Sequence, residues 1–93
     1  LIHGLHRVDV DRVVPQAWDG QPFGFRLLGI GPDSPFAAIG LTGGDLLRAV
    51  NGRLIATPDA ALAAFTALRT ENHIWLDLER QGRRVRIDYQ VVR

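Results

Sequence analysis

The sequence predicts a small α+β domain, a curled antiparallel β-sheet whose ends are closed by two helices. Three observations predict it. Stretches that alternate apolar and polar residues lie near both ends of the chain, the period-2 sign of half-buried strands. Two alanine-containing helical runs stand between them, each opened by a hydroxyl residue followed by proline. Asp19-Gly20, Asn51-Gly52 and Gln81-Gly82 mark the places where strands turn back.

In chain order, residues 1–6 read as a frayed tail. Val8 and Val10 alternate with Arg7, Asp9 and Asp11, and the strand continues or restarts through Val13-Val14, with Pro15 marking an edge or a bend. After Asp19-Gly20, Phe25-Arg26-Leu27-Leu28 reads as the returning strand, ended by Gly29, Gly31 and Pro32. A short helix follows from Ser34 to Gly40: Ser34 caps its free N–H groups, Pro35 suits its first position, Gly40 its left-handed stop, and Leu41 folds back onto it. Leu46 to Val50 is a short strand that turns at Asn51-Gly52 into Arg53-Leu54-Ile55.

The second helix starts at Thr57-Pro58-Asp59 and runs to about Arg69, with Leu62, Phe65 and Leu68 as its apolar face and five alanines raising its propensity. His73 to Arg80 alternates again, with Ile74, Leu76 and Leu78 on one face and Trp75, Asp77 and Glu79 on the other. Val85, Ile87, Tyr89 and Val91 form the apolar face of the last strand.

Composition excludes several chemistries. Ninety-three residues make one domain with a modest core, and a net charge of +1 predicts no strong pull toward nucleic acid or anionic lipid. All eleven basic residues are arginine, so a Walker-type phosphate loop, a Schiff base and a lysine general base are ruled out. Without cysteine there is no disulfide, thiolate nucleophile or zinc ribbon. No apolar run approaches the roughly 20 residues a membrane helix needs. A chain that starts at Leu1 and lacks methionine reads as a piece of a longer protein, with any signal or anchor outside it.

Candidate catalytic groups are sparse. Ser34 is the only serine and has work as a helix cap, and nothing places a histidine beside it. His3, His6 and Asp9 would share a face on a helix, but the alternation around them predicts a strand, which separates them. Asp9 with Asp11, and Asp77 with Glu79, fall on polar strand faces, where solvation is the ordinary role. Arg80, Arg83, Arg84 and Arg86 are interleaved with acids, which favours a solvated hairpin or a protein-contact patch over phosphate binding. No catalytic residue, metal or cofactor is expected.

The remaining signal is Phe23-Gly24-Phe25, an apolar-glycine-apolar triplet running into a strand. A glycine there lets backbone N–H groups converge, and a helix lying beside the strand would leave a groove in which an extended peptide adds to the strand edge. A plain hairpin glycine between two core phenylalanines is the alternative that the triplet leaves open.

As a whole the chain resembles a PDZ domain. Phe23-Gly24-Phe25 is similar to that family's carboxylate-binding loop. Ser34-Pro35-Phe36-Ala37-Ala38-Ile39-Gly40-Leu41, Gly43-Gly44-Asp45 and Asn51-Gly52 are similar to its helix-Gly-Leu, Gly-Asp and Asn-Gly signature. Val13-Val14-Pro15, Gly24-Phe25-Arg26-Leu27, Thr57-Pro58-Asp59-Ala60-Ala61 and Glu79-Arg80-Gln81-Gly82 further resemble the C component of bacterial type II secretion systems.

The resemblance implies a PDZ-like sheet or partial barrel capped by two α-helices over residues 7–93. It implies a non-catalytic domain at the periplasmic face of the inner membrane that binds secreted proteins or the outer-membrane secretin. The implied peptide site comprises Phe23, Gly24, Phe25 and Leu27 with Leu62 and Phe65 from the second helix. The alternative is the regulatory peptide-binding module of a periplasmic HtrA-like serine protease. Pro22 stands where many family members carry glycine, and no histidine opens the second helix. Both departures favour recognition of an internal strand or a surface over a peptide C-terminus.

Overall fold

The computed structural model describes residues 12–92, all of their side chains except that of Phe65. The tail expected over residues 1–6, the alternation at Val8 and Val10, and the His3-His6-Asp9 trio lie outside the described residues. Three antiparallel hairpins carry the sheet: β1 (Arg12–Trp18) with β2 (Gln21–Leu28), β3 (Leu46–Val50) with β4 (Arg53–Leu54), and β5 (His73–Arg80) with β6 (Arg83–Gln90). At Asp19-Gly20, Asn51-Gly52 and Gln81-Gly82 both turn residues have positive φ, between 49° and 80°. That is the two-residue turn whose twist matches the strands it joins, and it is why these residue pairs stand there.

The three hairpins join into one six-stranded sheet in the order β1-β2-β3-β5-β6, with β4 paired to β3 alone, and the sheet stays open rather than closing into a barrel. β2 begins at Gln21, four residues earlier than the sequence pattern suggests, because Gln21, Pro22 and Gly24 already pair with β1, the ladder skipping Phe23 at an irregularity.

Helix α1 (Pro35–Ala38) is a single turn, too short to hold itself together by propensity. Its ends explain its presence. The Ser34 hydroxyl accepts the Phe36 N–H at 3.0 Å. At the other end Gly40 (φ 94°) donates to the Ala37 carbonyl and Leu41 to the Phe36 carbonyl, both at 3.0 Å, the paired closure that a left-handed glycine allows. Leu41 is then buried in the core.

Helix α2 (Pro58–Ala67) opens with the Thr57 hydroxyl accepting the Ala60 N–H at 3.2 Å. It is shorter than expected, since the last turn, Leu68–Thr70, tightens to a 3-10 helix. Its core-facing side also differs: Ala64 is buried, and Ala61 and Leu68 pack against the core, while Leu62 stands 68% exposed. Alanine lets the helix lie close to the sheet, and the spacing of residues 61, 64 and 68 is as good a helical stripe as the larger side chains offered. The core itself joins Phe25, Leu27, Leu41, Val50, Ile55, Ala64, Leu76 and Leu78.

Candidate functional site

Phe23-Gly24-Phe25 is not a loop at the start of a strand. All three residues lie within β2, which pairs with β1 on one side and β3 on the other. At Phe25 and Arg26 both edges of β2 are occupied, so an extended peptide cannot add to the strand there. Gly24 is paired with Gln16, and a Cβ placed on it would come within 2.7 Å of the Leu47 carbonyl oxygen and 3.6 Å of Arg48 Cδ. The glycine is needed for the close passage of β3. Phe25 and Leu27, expected on a groove wall, are instead 7% and 1% exposed in the core. Phe23 is half-buried, with the Arg48 guanidinium 5.8 Å from its ring centre.

The open edge of this half of the sheet belongs to β1. Among the described residues no strand pairs with its outer side. The register sets Val13 opposite Leu27 and Pro15 opposite Phe25, so both stand on the core side of the sheet. Yet Pro15 is exposed and Val13 is 47% exposed. Helix α2 lies on that same side of the sheet through Ala61, Ala64 and Leu68. Its Ala67 flank lines a small hollow with Val50, Asn51, Arg53 and Trp75. Leu62 falls on the opposite flank by helical spacing.

Two of the expected site residues, Gly24 and Phe25, thus support the sheet, and Leu62 is an accessible apolar residue on the helix. The side chain of Phe65 lies outside the description. Sequence reasoning named neither Val13 nor Pro15 as contacts, although the proline had already signalled an edge.

The Gly43-Gly44-Asp45 segment closes the other side of β2. Gly44 donates to the Leu27 carbonyl at 2.7 Å and Leu27 to the Asp45 carbonyl at 2.9 Å. The Asp45 side chain, 1% exposed, accepts from the Thr42 N–H and hydroxyl and from Arg80 Nε and Nη2 at 2.8 to 3.1 Å. Burial alone would raise its pKa, but the hydrogen bonds from Arg80 and Thr42 hold the carboxyl below its ordinary value. Arg80 also donates to the Gly40 carbonyl at 2.9 Å, and the Tyr89 hydroxyl donates to the Ile39 carbonyl, so the last carbonyls around the α1 stop are used. Burial raises the Tyr89 pKa, opposed by the nearby Arg80 charge. This network is a brace that ties the entry to β3, β5, β6 and the α1 stop together, with the Asp45 and Arg80 charges hydrogen-bonded within it.

Several other charged groups are paired structurally. Asp77 and Glu79, expected to be simply solvated, bind Arg86 and Arg48. His73 Nε2 meets Asp88 at 2.8 Å on an exposed strand face, far in sequence from Ser34, whose hydroxyl already accepts the Phe36 N–H. Among the described residues no three His, Asp or Glu side chains converge as a metal site.

No protein-family model matches this chain, and no curated protein matches it. Solved structures do. The chain is similar to the PDZ domain of EpsC from Vibrio cholerae in a longer piece (23% identity, TM-score 0.66, 96% of this chain and 85% of that one). A shorter piece of the same domain matches at 26% identity and TM-score 0.62, over 89% of this chain and 95% of that one. It is also similar to the PDZ domain of the pullulanase C protein of the type II secretion system from Klebsiella pneumoniae, solved in complex with fatty acid, at 27% identity and TM-score 0.64, covering 90% and 87% of the two chains. The fold is a PDZ fold, and these structural neighbours are PDZ domains of type II secretion C proteins.

Proposed function

We propose that this chain is a non-catalytic protein-interaction domain of an inner-membrane component of a type II secretion system, facing the periplasm and tethered by an anchor outside the chain. It takes an extended segment of a secreted protein, or of the outer-membrane secretin, along the free edge of β1. The segment adds to the sheet by main-chain hydrogen bonds, and its inward side chains rest on Val13, Pro15, Leu62 and the Phe65 position of α2. Phe25 and Leu27 form the floor beneath that groove, and Phe23 and Gly24 fix the strand next to it.

The observation that carries this reading is the edge of β1, unpaired among the described residues, with an under-covered Val13 on the same side of the sheet as α2. The likeness to secretion-system PDZ domains favours this reading over a protease-regulatory one. The missing donor at Pro22 matters little to such a mode, since Pro22 is an exposed residue paired with Ala17 at the end of the hairpin.

The test is a pull-down of the purified secretin periplasmic domain and of a secreted protein from the same organism by Val13→Asp and Leu62→Asp variants. Both variants are expected to lose capture while keeping the wild-type melting temperature. Unchanged capture by both would remove the β1 groove from consideration.

A further inference from the structure

The opposite face of the sheet carries a cleft of about 450 Å³ lined by Arg48, Leu54, Asp77, Glu79, Arg84 and Arg86, with Leu78 and Val85 also contributing. It is separate from the β1 groove. The register sets Ala49 opposite both Leu54 and Asp77, Asp77 opposite Arg86, and Glu79 opposite Arg84, which puts these side chains on the face away from Leu76 and Leu78.

The charges in this cleft are paired in an unequal way. Asp77 takes Arg86, its cross-strand neighbour, at 2.9 Å. Glu79 does not take its own cross-strand neighbour Arg84. It is bound instead by Arg48, which stands at the irregularity of β3 between Leu47 and Ala49, where the ladder shifts register. Arg84 is left exposed with no ion pair or hydrogen bond among the described residues. Arg48 is itself incompletely satisfied, because its Nε is buried and has no acceptor. Beside them Leu54 is 68% exposed on the two-residue strand β4, which pairs only with β3.

We propose that this cleft is a second docking surface, which takes an acidic residue of a partner protein segment with an apolar residue next to it. The carboxylate sits on the Arg84 guanidinium, and the apolar neighbour covers Leu54. The charge balance selects the chemistry. Three guanidiniums face two carboxylates, so one negative charge completes the set, whereas a doubly charged phosphate would be repelled by Asp77 and Glu79. The exposure of Leu54 and Arg84 selects the source. A free small acid would leave the apolar half of the surface in water, while a chain segment covers both halves at once.

The experiment is an NMR titration of the isotope-labelled 93-residue chain with the peptide N-acetyl-Leu-Glu-Leu-amide, its Gln counterpart, and sodium acetate. Saturating shifts at Leu54, Arg84 and Arg86 with the Glu peptide are expected, weaker by about tenfold with the Gln peptide, the scale of one lost charge-assisted contact. Arg84→Gln is expected to cost a similar factor with no change in melting temperature, and Leu54→Ser a smaller one. Equal binding of the Gln peptide, an unaffected Arg84→Gln variant, or shifts confined to β1 and α2 would overturn the proposal. Acetate saturating the same residues at the same concentration as the peptide would overturn the docking role and leave only a small-anion site.

Discussion

At one side of β2, the Asp45 carboxylate accepts four hydrogen bonds and is almost completely buried, and the carbonyls of Ile39 and Gly40 are taken by Tyr89 and Arg80. At its other side, β1 has an outer edge that no strand among the described residues pairs with, and Val13 and Trp18 are exposed. The two regions use the same strand as a wall but treat polar groups oppositely. The brace spends its hydrogen-bonding capacity internally, which makes it rigid and leaves nothing to offer a ligand. The β1 edge keeps main-chain donors and acceptors available, a liability in a free domain and a means of recognition in a binding one. Stability and binding should therefore respond to different substitutions.

The largest effect is expected at the brace. Arg80→Ala leaves Asp45 buried with only Thr42 as partner, and breaking such a pair costs about 3–5 kcal/mol, a large share of what a domain of this size has. Urea denaturation should show the midpoint falling steeply, and a midpoint near that of wild type would mean that water replaces Arg80 without loss. The brace also predicts an acid limb. Because the folded pKa of Asp45 lies below the ordinary 3.8, its contribution is complete above that value and is lost as the pH falls below it toward the folded pKa. Asp45→Asn should be less stable than wild type at neutral pH and flatter in stability as the pH falls below 3.8. Parallel acid curves for the two proteins would assign the limb to other carboxylates.

Next comes the wall itself. Gly24→Ala pushes a Cβ against the Leu47 carbonyl at 2.7 Å, and the strand must shift. Overpacking of this kind costs about 1–3 kcal/mol. The loss should appear in thermal melts without any ligand, which separates a packing glycine from one that serves a bound carboxylate. Ser34→Ala is expected to be milder, about 1 kcal/mol for a lost cap, read by the same melts.

Much of the brace could be read from sequence because its instructions are local. Ser34 and Pro35 start α1, Gly40 and Leu41 stop it, and Asn51-Gly52 and Gln81-Gly82 turn strands, each within a few residues of what it controls. What Asp45 does was hidden, since its partner Arg80 lies 35 residues away. The pairing around the expected site was hidden for a related reason. Alternation says that a segment is a strand but not which neighbours it takes, so Phe25 carried no sign of being paired with both β1 and β3. Gly24 looked like a binding glycine because the oxygen that requires it, on Leu47, comes from another strand. In α2 the five alanines allow several faces to pack, and the smaller stripe was buried while Leu62 was left outside.

The smallest effect on stability is expected where the effect on function should be greatest. Val13 and Leu62 are already largely exposed, so Val13→Asp and Leu62→Asp should change unfolding free energy by no more than about 0.5 kcal/mol. A carboxylate at either position would nevertheless have to be desolvated, unpaired, under any chain laid along β1, a cost of several kcal/mol that few extended segments can offset. Joint measurement decides the matter. Stable variants that no longer capture partner would locate recognition at the edge, whereas variants that melt early would mean that Val13 and Leu62 belong to the core and that the contrast between brace and edge is drawn in the wrong place. A doubly substituted protein adds a control: if both residues face one bound segment, its loss of binding should fall short of the sum of the single losses, because the second charge acts on a contact already broken.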